Sequence, residues 1–266
     1  MSNYDPERMV PLLQSVALEL TNHCQLGCSI CWSQNPSLHP PREKGFMDRG
    51  LFKSIIDQLV EYRKDAHKRI FLSMGYGGES LMHPYFDELL VYAASKRSFK
   101  IQLITNGLDL RDHIDVLLRH RVLVTISYHH VPLGLKKQVD DAIMLLLSRR
   151  GTNRVNIAVV DAEHPGLYRE ARDKFGGMVY NYPLISEDLK YLEGERKGEP
   201  YCKSPFHYMG ILWNGDVWPC CHLLSSDFPS LGNLNNGTIN EIWDGELYRS
   251  LRLDPDAFPC KECQLW

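Results

Sequence analysis

Two patterns of apolar and polar residues alternate along the first two-thirds of the chain. Short apolar runs rich in β-branched residues predict buried strands, and they lie at 15–21, 69–74, 99–105, 122–128, 154–160 and 177–182. Longer stretches with helical periodicity separate these runs, at 48–63, 84–97, 111–120, 135–149 and 163–175. Asp48 is a suitable N-cap for the first helix, and glycines such as Gly151 and Gly176 mark stops.

Six strands that alternate with five helices predict an α/β fold built from repeated βαβ units around a parallel sheet. The strands are apolar enough to be buried on both faces. The chain is too short for eight such units, so residues 1–183 are expected to form a partial (βα)6 barrel or an open sheet.

The pattern changes after residue 183. A polar segment at 184–200 is typical of a linker. Two apolar runs then flank Asn214-Gly215-Asp216, which predicts a hairpin turn. One helix is expected to begin near Thr238, so residues 201–266 form a second, small, cysteine-rich domain.

Composition excludes some partners. The 266 residues carry a formal net charge of −3, which gives no electrostatic reason to expect nucleic acid or an anionic membrane as a partner. No apolar run approaches the length of a membrane span, and the first residues lack the pattern of a secretory signal. We therefore expect a cytoplasmic protein.

The eight cysteines fall into two groups, and such close spacing in a reducing compartment indicates metal ligands more often than disulfides. The front group is Cys24, Cys28 and Cys31, and the rear group is Cys202, Cys220, Cys221, Cys260 and Cys263. Three thiolates leave one position open at a tetrahedral metal, as chemistry requires, whereas structural zinc wants four ligands. On spacing alone, zinc or chance remains an alternative for the front group.

The stretch ELTNHCQLGCSIC resembles the CxxxCxxC signature of the radical S-adenosylmethionine (SAM) superfamily. The resemblance implies that Cys24, Cys28 and Cys31 hold a 4Fe–4S cluster whose fourth iron binds SAM. Ile30 takes the place of the hydrophobic residue before the third cysteine, which is usually aromatic. Gly77-Gly78-Glu79 resembles the GGE motif, whose backbone and carboxylate hold the methionine amino group of SAM.

Two further strand ends agree with this resemblance. Thr105-Asn106-Gly107 is similar to the TNG that relatives often carry after the third strand. Ser127 ends the fourth strand, where a polar residue usually meets the ribose or carboxylate of SAM. Sites at the carboxyl ends of parallel strands are also what the fold favours.

Four rear cysteines form a second expected metal site, with Cys202, Cys220, Cys260 and Cys263 as ligands. The ligand types alone allow zinc or iron–sulfur. The spacing resembles the twitch form of the SPASM domains, which implies one auxiliary 4Fe–4S cluster. Four protein ligands leave no open position, so electron transfer is its expected task. Cys221 has no ligand duty and is either a buried thiol or a hydrogen donor.

Polar residues at later strand ends are candidates for contact with a substrate. Tyr128, His129 and His130 follow the fourth strand, and His129 or His130 could act as a base. The alternative is that one of these histidines packs and the other is solvated. Further candidates are Asp161, Tyr180, Asn181 and Tyr182.

The size of the chain and its single auxiliary site resemble the deoxy-scyllo-inosamine dehydrogenases of aminoglycoside biosynthesis. This implies an oxidoreductase that uses a 5′-deoxyadenosyl radical to oxidise an alcohol of a sugar or aminocyclitol to a ketone. The auxiliary cluster would accept an electron, and flavodoxin or ferredoxin would supply one. A radical epimerase that uses Cys221, or a maturase of a ribosomal peptide, remains an alternative.

Overall fold

The computed structural model describes residues 11–29, 31–36, 41–64, 68–129, 131–160, 164–181, 204–220 and 230–253. Its strands are β1 (Ser15–Leu18), β2 (Ile70–Met74), β3 (Phe99–Thr105), β4 (Leu123–Ser127), β5 (Val155–Val159), β6 (Val179–Asn181), β7 (Tyr208–Ile211) and β8 (Val217–Trp218). Its α-helices are α1 (Arg49–Tyr62), α2 (Phe86–Ser95), α3 (Leu110–Arg119), α4 (Leu133–Arg149), α5 (Leu167–Phe175), α6 (Ile239–Trp243) and α7 (Glu246–Leu253).

The strands form one mostly parallel sheet in the order β6-β5-β4-β3-β2-β1-β7-β8. Only β8 runs antiparallel to its neighbour, β7. Within the described residues β6 and β8 are the two edges and do not pair with each other. The α/β partial-barrel fold expected from the sequence is therefore confirmed, with a sheet that stays open.

The two faces of the sheet differ in chemistry. One face packs with the helices into a single apolar core, to which Leu18, Met74, Leu103 and Ile126 contribute. The opposite face, called the open face below, alternates with these residues and carries the polar side chains of Ser73, Gln102, Thr125, Ser127 and Asn156. The expectation of apolar burial on both faces is wrong for the open face, because polar residues occupy alternate positions there.

Local signals position the helices as expected. The Asp48 carboxylate caps α1, since its Oδ1 accepts the N–H groups of Gly50 at 2.7 Å and Leu51 at 3.1 Å. Gly151 and Gly176, which follow α4 and α5, have φ of 54° and 80°. A side chain is disfavoured at such angles, which is why glycine is common just after a helix.

The C-terminal hairpin belongs to the same sheet as the barrel strands. Strand β7 pairs in parallel with β1, for example Val16 with Met209. The turn before β8 contains Gly215 at φ +89°, as the sequence predicted. The division at residues 183 and 201 stays a prediction, and the proposed linker lies outside the described residues.

The helix expected from Thr238 onward is two short helices. Thr238 and Glu241 form a reciprocal capping box at the start of α6. The chain then turns at Asp244 and Gly245 before α7, so the prediction of one continuous helix is wrong. Trp243 is fully buried and its Nε1–H donates to the carbonyl of Pro11 at 2.7 Å, which fastens this region to the start of the chain.

None of the described helices combines the length and the apolar character needed to cross a membrane.

Candidate active site

The front cysteines lie in a loop whose base is closed by a short antiparallel pairing. Thr21 bridges to Phe46, and the Thr21 hydroxyl donates to the carbonyl of Gly45 at 2.7 Å. The Asn22 Oδ1 accepts the Gly45 N–H at 2.9 Å. Thr21 and Asn22 are buried, so the loop that begins at Cys24 starts and returns at fixed positions.

Cys24, Cys28 and Cys31 are half-buried thiols within this loop. Burial raises the pKa of Cys24 and of Cys31, whereas the Leu26 N–H, 3.4 Å from the Cys24 sulfur, favours its thiolate. Arg42 and Lys44 likewise act to lower the pKa of Cys31. Amide donors and cations around sulfur are what thiolate ligands need.

Within the described residues, no three side chains of His, Cys, Asp or Glu come close enough together to hold a metal ion. The structure thus brings the front cysteines into one loop but not into a closed ligand group. Their donor chemistry still fits an iron–sulfur cluster, since three thiols share one anchored loop next to polar strand ends.

The Gly77-Gly78-Glu79 motif packs directly against the base of the cysteine loop. Gly77 has φ +91°, and a Cβ there would lie 1.9 Å from Glu19 Oε1. A Cβ on Gly78 would lie 2.4 Å from the Thr21 carbonyl oxygen and 2.5 Å from that of His23. The Glu79 N–H donates to the His23 carbonyl at 2.7 Å. Glycine is therefore required at both positions for this approach.

The Glu79 carboxylate links the ends of β2 and β3. It is buried, and its oxygens accept the Thr105 hydroxyl at 2.8 Å, the Asn106 N–H at 2.7 Å and the Leu81 N–H at 3.2 Å. Burial raises the pKa of Glu79 to about 7, and these three donors oppose that rise. The carboxylate thus points into the protein and orders two strand ends.

Asn106 connects that network to the cysteine loop. Its Nδ2 lies 3.7 Å from the Cys24 sulfur and donates to the Gln25 side chain at 3.1 Å. Its Oδ1 accepts the Leu108 N–H at 2.9 Å. The structure therefore brings Cys24, Glu79, Thr105 and Asn106 together, as the motifs predicted.

The residues after β4 divide between the two faces. Ser127 lies on the open face beside Ala158, and the His129 Nδ1 is 3.5 Å from the Ala158 carbonyl oxygen. Tyr128 is buried on the helix side, where its hydroxyl donates to Asp140 at 2.5 Å. Burial and this carboxylate raise the pKa of Tyr128. The expectation that Tyr128 faces a substrate is wrong, because neighbouring strand residues alternate faces.

A buried ion pair that the sequence did not reveal lies beside the loop. Glu19 is fully buried, and Arg42 donates to its two oxygens at 3.1 and 2.5 Å. The Trp213 N–H also donates to Glu19, at 3.3 Å. Glu19 therefore joins the cysteine-loop segment to the C-terminal hairpin. The only signal was a charged residue directly after an apolar strand.

One rear ligand candidate, Cys220, is described. Its carbonyl oxygen accepts the Tyr76 hydroxyl at 3.4 Å, and the Tyr76 ring packs against Trp32 of the front loop with 5.5 Å between centroids. Several predicted site residues lie outside the described residues, namely Ile30, His130, Asp161, Tyr182, Cys202, Cys221, Cys260 and Cys263.

The tight contact at Gly78 makes a first prediction. Gly78→Ala should lower reductive cleavage of SAM by about 10²-fold, because its new methyl group pushes the loop after β2 away from the cysteine loop. The matched control is Gly134→Ala on α4, where an added Cβ meets nothing within 4 Å. Release of 5′-deoxyadenosine is the measurement. Equal activity of the two variants would show that the contact does not position the site.

The Glu19–Arg42 pair makes a second prediction. Arg42→Ala should destabilise the protein by about 3 kcal/mol, since it leaves a buried carboxylate unpaired. Arg49→Ala removes an exposed partner of Glu88 and should cost less than about 1 kcal/mol. Anaerobic urea denaturation compares the two, and similar midpoints for both variants would contradict the role of Arg42.

Comparison with known proteins agrees with these motifs. The sequence model of the Radical SAM superfamily matches residues 18–159, more than half of the chain. The SPASM model, an iron–sulfur cluster-binding domain, matches residues 202–264 and so spans all four expected rear ligands. No curated protein matches the sequence of this chain.

Solved structures share the fold. BtrN in complex with AdoMet and 2-DOIA has a TM-score of 0.65 at 17% identity and covers 97% of this chain and 92% of its own. The anSMEcpe structure with bound AdoMet, which is SAM, has a TM-score of 0.65 at 16% identity, over 90% of this chain and 79% of its own. Streptococcus suis SuiB bound to precursor peptide SuiA has a TM-score of 0.53 at 13% identity, over 91% of this chain and 67% of its own.

The family match indicates which cofactors the chain binds. Radical SAM domains bind a 4Fe–4S cluster and SAM, and SPASM domains bind auxiliary iron–sulfur clusters. The low identities relate the solved structures to this chain by fold alone. The CxxxCxxC loop and the GGE motif follow neighbouring strands of one open α/β sheet, and the superfamily model covers both. The chain therefore belongs to the radical SAM superfamily and is a radical SAM enzyme.

Proposed function

We propose that this enzyme oxidises an alcohol of a sugar or aminocyclitol to a ketone. The observation that supports this most is the polar lining of the open face. Ser73 pairs in register with Gln102, Thr125 pairs with Asn156, and the Gln102 amide donates to Thr125 at 2.9 Å. Hydroxyl and amide groups that lie together on one face suit a small ligand with many hydroxyl or amino groups.

The position of β7 and β8 supports a role for the rear cluster in the same reaction. Strand β7 pairs with β1, and β8, which ends two residues before Cys220, pairs with β7 in the antiparallel direction. Tyr76 lies between these regions, in contact with Trp32 and with the Cys220 carbonyl. We propose that this contact between the front loop and the Cys220 segment serves the transfer of an electron from a substrate to the rear cluster.

An unpaired donor on β8 also favours a polar ligand. The Trp218 Nε1 is buried and has no hydrogen-bond partner in the described part of the chain. Trp218 pairs in register with Gly210, which places it on the open face. A buried N–H without an acceptor is costly, so a substrate oxygen would satisfy it.

The proposed reaction balances as the removal of two hydrogens from a carbinol. Held by Cys24, Cys28 and Cys31, the front cluster with SAM and an electron from flavodoxin or ferredoxin would supply a radical that takes the carbon-bound hydrogen. The rear cluster, held by Cys202, Cys220, Cys260 and Cys263, would accept the remaining electron. His129, which follows the end of β4 by two residues, would take the hydroxyl proton as the oxygen becomes a carbonyl. His130 is the second candidate base.

We also propose which residues bind SAM, from their places at the strand ends beside the cysteine loop. Gly77, Gly78 and Ser127 border the open face beside the loop and contact SAM. Glu79, Thr105 and Asn106 hold one another, so they act by fixing the strand ends around the bound SAM.

The fold comparisons favour a small-molecule substrate. This chain spans 92% of BtrN, which was solved with 2-DOIA, but only 67% of SuiB, which was solved with a precursor peptide. Modification of a peptide is the second candidate, because the SuiB fold still covers 91% of this chain.

Product mass tests the proposal. Reconstituted enzyme given SAM, a reductant and an aminocyclitol such as 2-DOIA should release a product lighter by two hydrogen atoms, with equimolar 5′-deoxyadenosine. An epimer of unchanged mass that carries one carbon-bound deuterium from heavy water would contradict dehydrogenation. No reaction with any aminocyclitol, together with modification of a peptide, would favour the second candidate.

Cys221→Ala separates the dehydrogenase from the epimerase in the same assay. We propose that Cys221 is a structural thiol, so the variant should keep most of the oxidation. Loss of product while SAM cleavage continues would instead identify Cys221 as a hydrogen donor.

A further inference from the structure

A cleft of about 810 Å³ opens at the amino ends of β2 to β5 and is lined by cationic side chains. These are Arg69, Arg97, Lys100, Arg121 and Arg154. None of the residues that line it is acidic. This group, called the cationic cleft below, lies at the end of the sheet opposite to the cysteine loop, since that loop follows the carboxyl end of β1. It is therefore separate from the candidate active site.

The five cations have no ion-pair partner among the described residues. Some exposed cations elsewhere on the surface do have one, as in Arg49 with Glu88, Lys96 with Asp57 and Arg149 with Asp115. The chain as a whole has a formal net charge of −3, so the cluster does not reflect a basic composition. Like charges on neighbouring strands repel one another, and a bound anion would remove that repulsion.

Backbone strain points to the same cleft. Arg97 and Arg121 have φ of 55° and are the only residues other than glycine with positive φ in the described ranges. Each lies just after a helix, Arg97 after α2 and Arg121 after α3. Strained backbone of this kind tends to occur at functional sites.

The turns after α4 and α5 offer a comparison with the positions of Arg97 and Arg121. At these turns the chain has glycine with positive φ, at Gly151 and Gly176. Glycine is the usual residue there because it carries no Cβ. Neither glycine lines the cleft, whereas both arginines do. The arginines thus occupy positions where a positive φ favours glycine.

We propose that the cationic cleft binds a small molecule that carries a diphosphate group. An arginine guanidinium can donate two parallel hydrogen bonds to two oxygens of one phosphate group. Several arginines therefore suit an anion with more than one phosphate. The volume is that of a small-molecule site. Phe71, Ile101 and Leu123 add apolar surface to the lining, which suits an organic group attached to the diphosphate.

Calorimetry with inorganic pyrophosphate and with ADP tests this site. The reconstituted enzyme is saturated with SAM so that the adenosine site is filled, at an ionic strength of about 0.15 M. One pyrophosphate should bind per chain, and Lys100→Gln with Arg154→Gln should weaken binding by at least about tenfold. Tighter binding of ADP would indicate an organic diphosphate, and equal binding an inorganic one. Iron content before and after the titration excludes cluster loss.

The matched control is Arg111→Gln with Arg119→Gln, which removes the same charge from exposed positions of α3 outside the cleft. It should bind pyrophosphate as the wild type does. Arg121→Gly removes a cleft cation and relieves the backbone, so it should lose affinity without a lower melting temperature. Absence of pyrophosphate binding, several anions per chain, or equal weakening in both double variants would overturn the proposal.

Discussion

The close approach of the loop after β2 to the loop after β1 is the contact on which the rest of the site depends. It is possible only because Gly77 and Gly78 have no side chains, since a Cβ on either would overlap Glu19 or the backbone of Thr21 and His23. Once the two loops meet, the Glu79 carboxylate reaches the end of β3. Three donors to a carboxyl group that is buried so fully offset part of the cost of its burial.

The same contact determines where the front cluster ligands lie. Asn106, held through its N–H by Glu79, reaches the Cys24 sulfur. Glu19 extends the network to Arg42 and to the backbone of Trp213. The cysteine loop, three strand ends and the C-terminal hairpin are therefore one hydrogen-bonded unit. A change at one of them is expected to move the others.

Much of this architecture could be predicted from the sequence, because local periodicity decides strands and helices. The predicted strand at 99–105 matches β3 in both bounds, and the Asp48 cap and the turn at Gly215 are short-range signals. The pairing of β7 with β1 could not be predicted, because it joins residues nearly two hundred positions apart and no local pattern specifies an edge. The face of Tyr128 was predictable from strand alternation, since Ile126 is an apolar core position on the same side.

The Glu19–Arg42 pair and the cationic cleft show a different limit. Each depends on side chains that are remote in sequence, so their charges look like ordinary surface charges until the fold brings them together. The helix ends gave a partial signal of the cationic cleft. The sequence has a glycine after α4 and after α5, but an arginine after α2 and after α3. The difference could be interpreted only once the structure showed that the two arginines line the same cleft.

The central claim is that Cys24, Cys28 and Cys31 hold the cluster that binds SAM, in a site separate from the rear cysteines. Electron paramagnetic resonance of the dithionite-reduced protein tests this directly. The wild type should give two cluster signals, of which one shifts when SAM is added. The Cys24→Ala, Cys28→Ala, Cys31→Ala triple variant should keep only the signal that SAM does not change. A SAM-sensitive signal in the triple variant, or none in the wild type, would contradict the account.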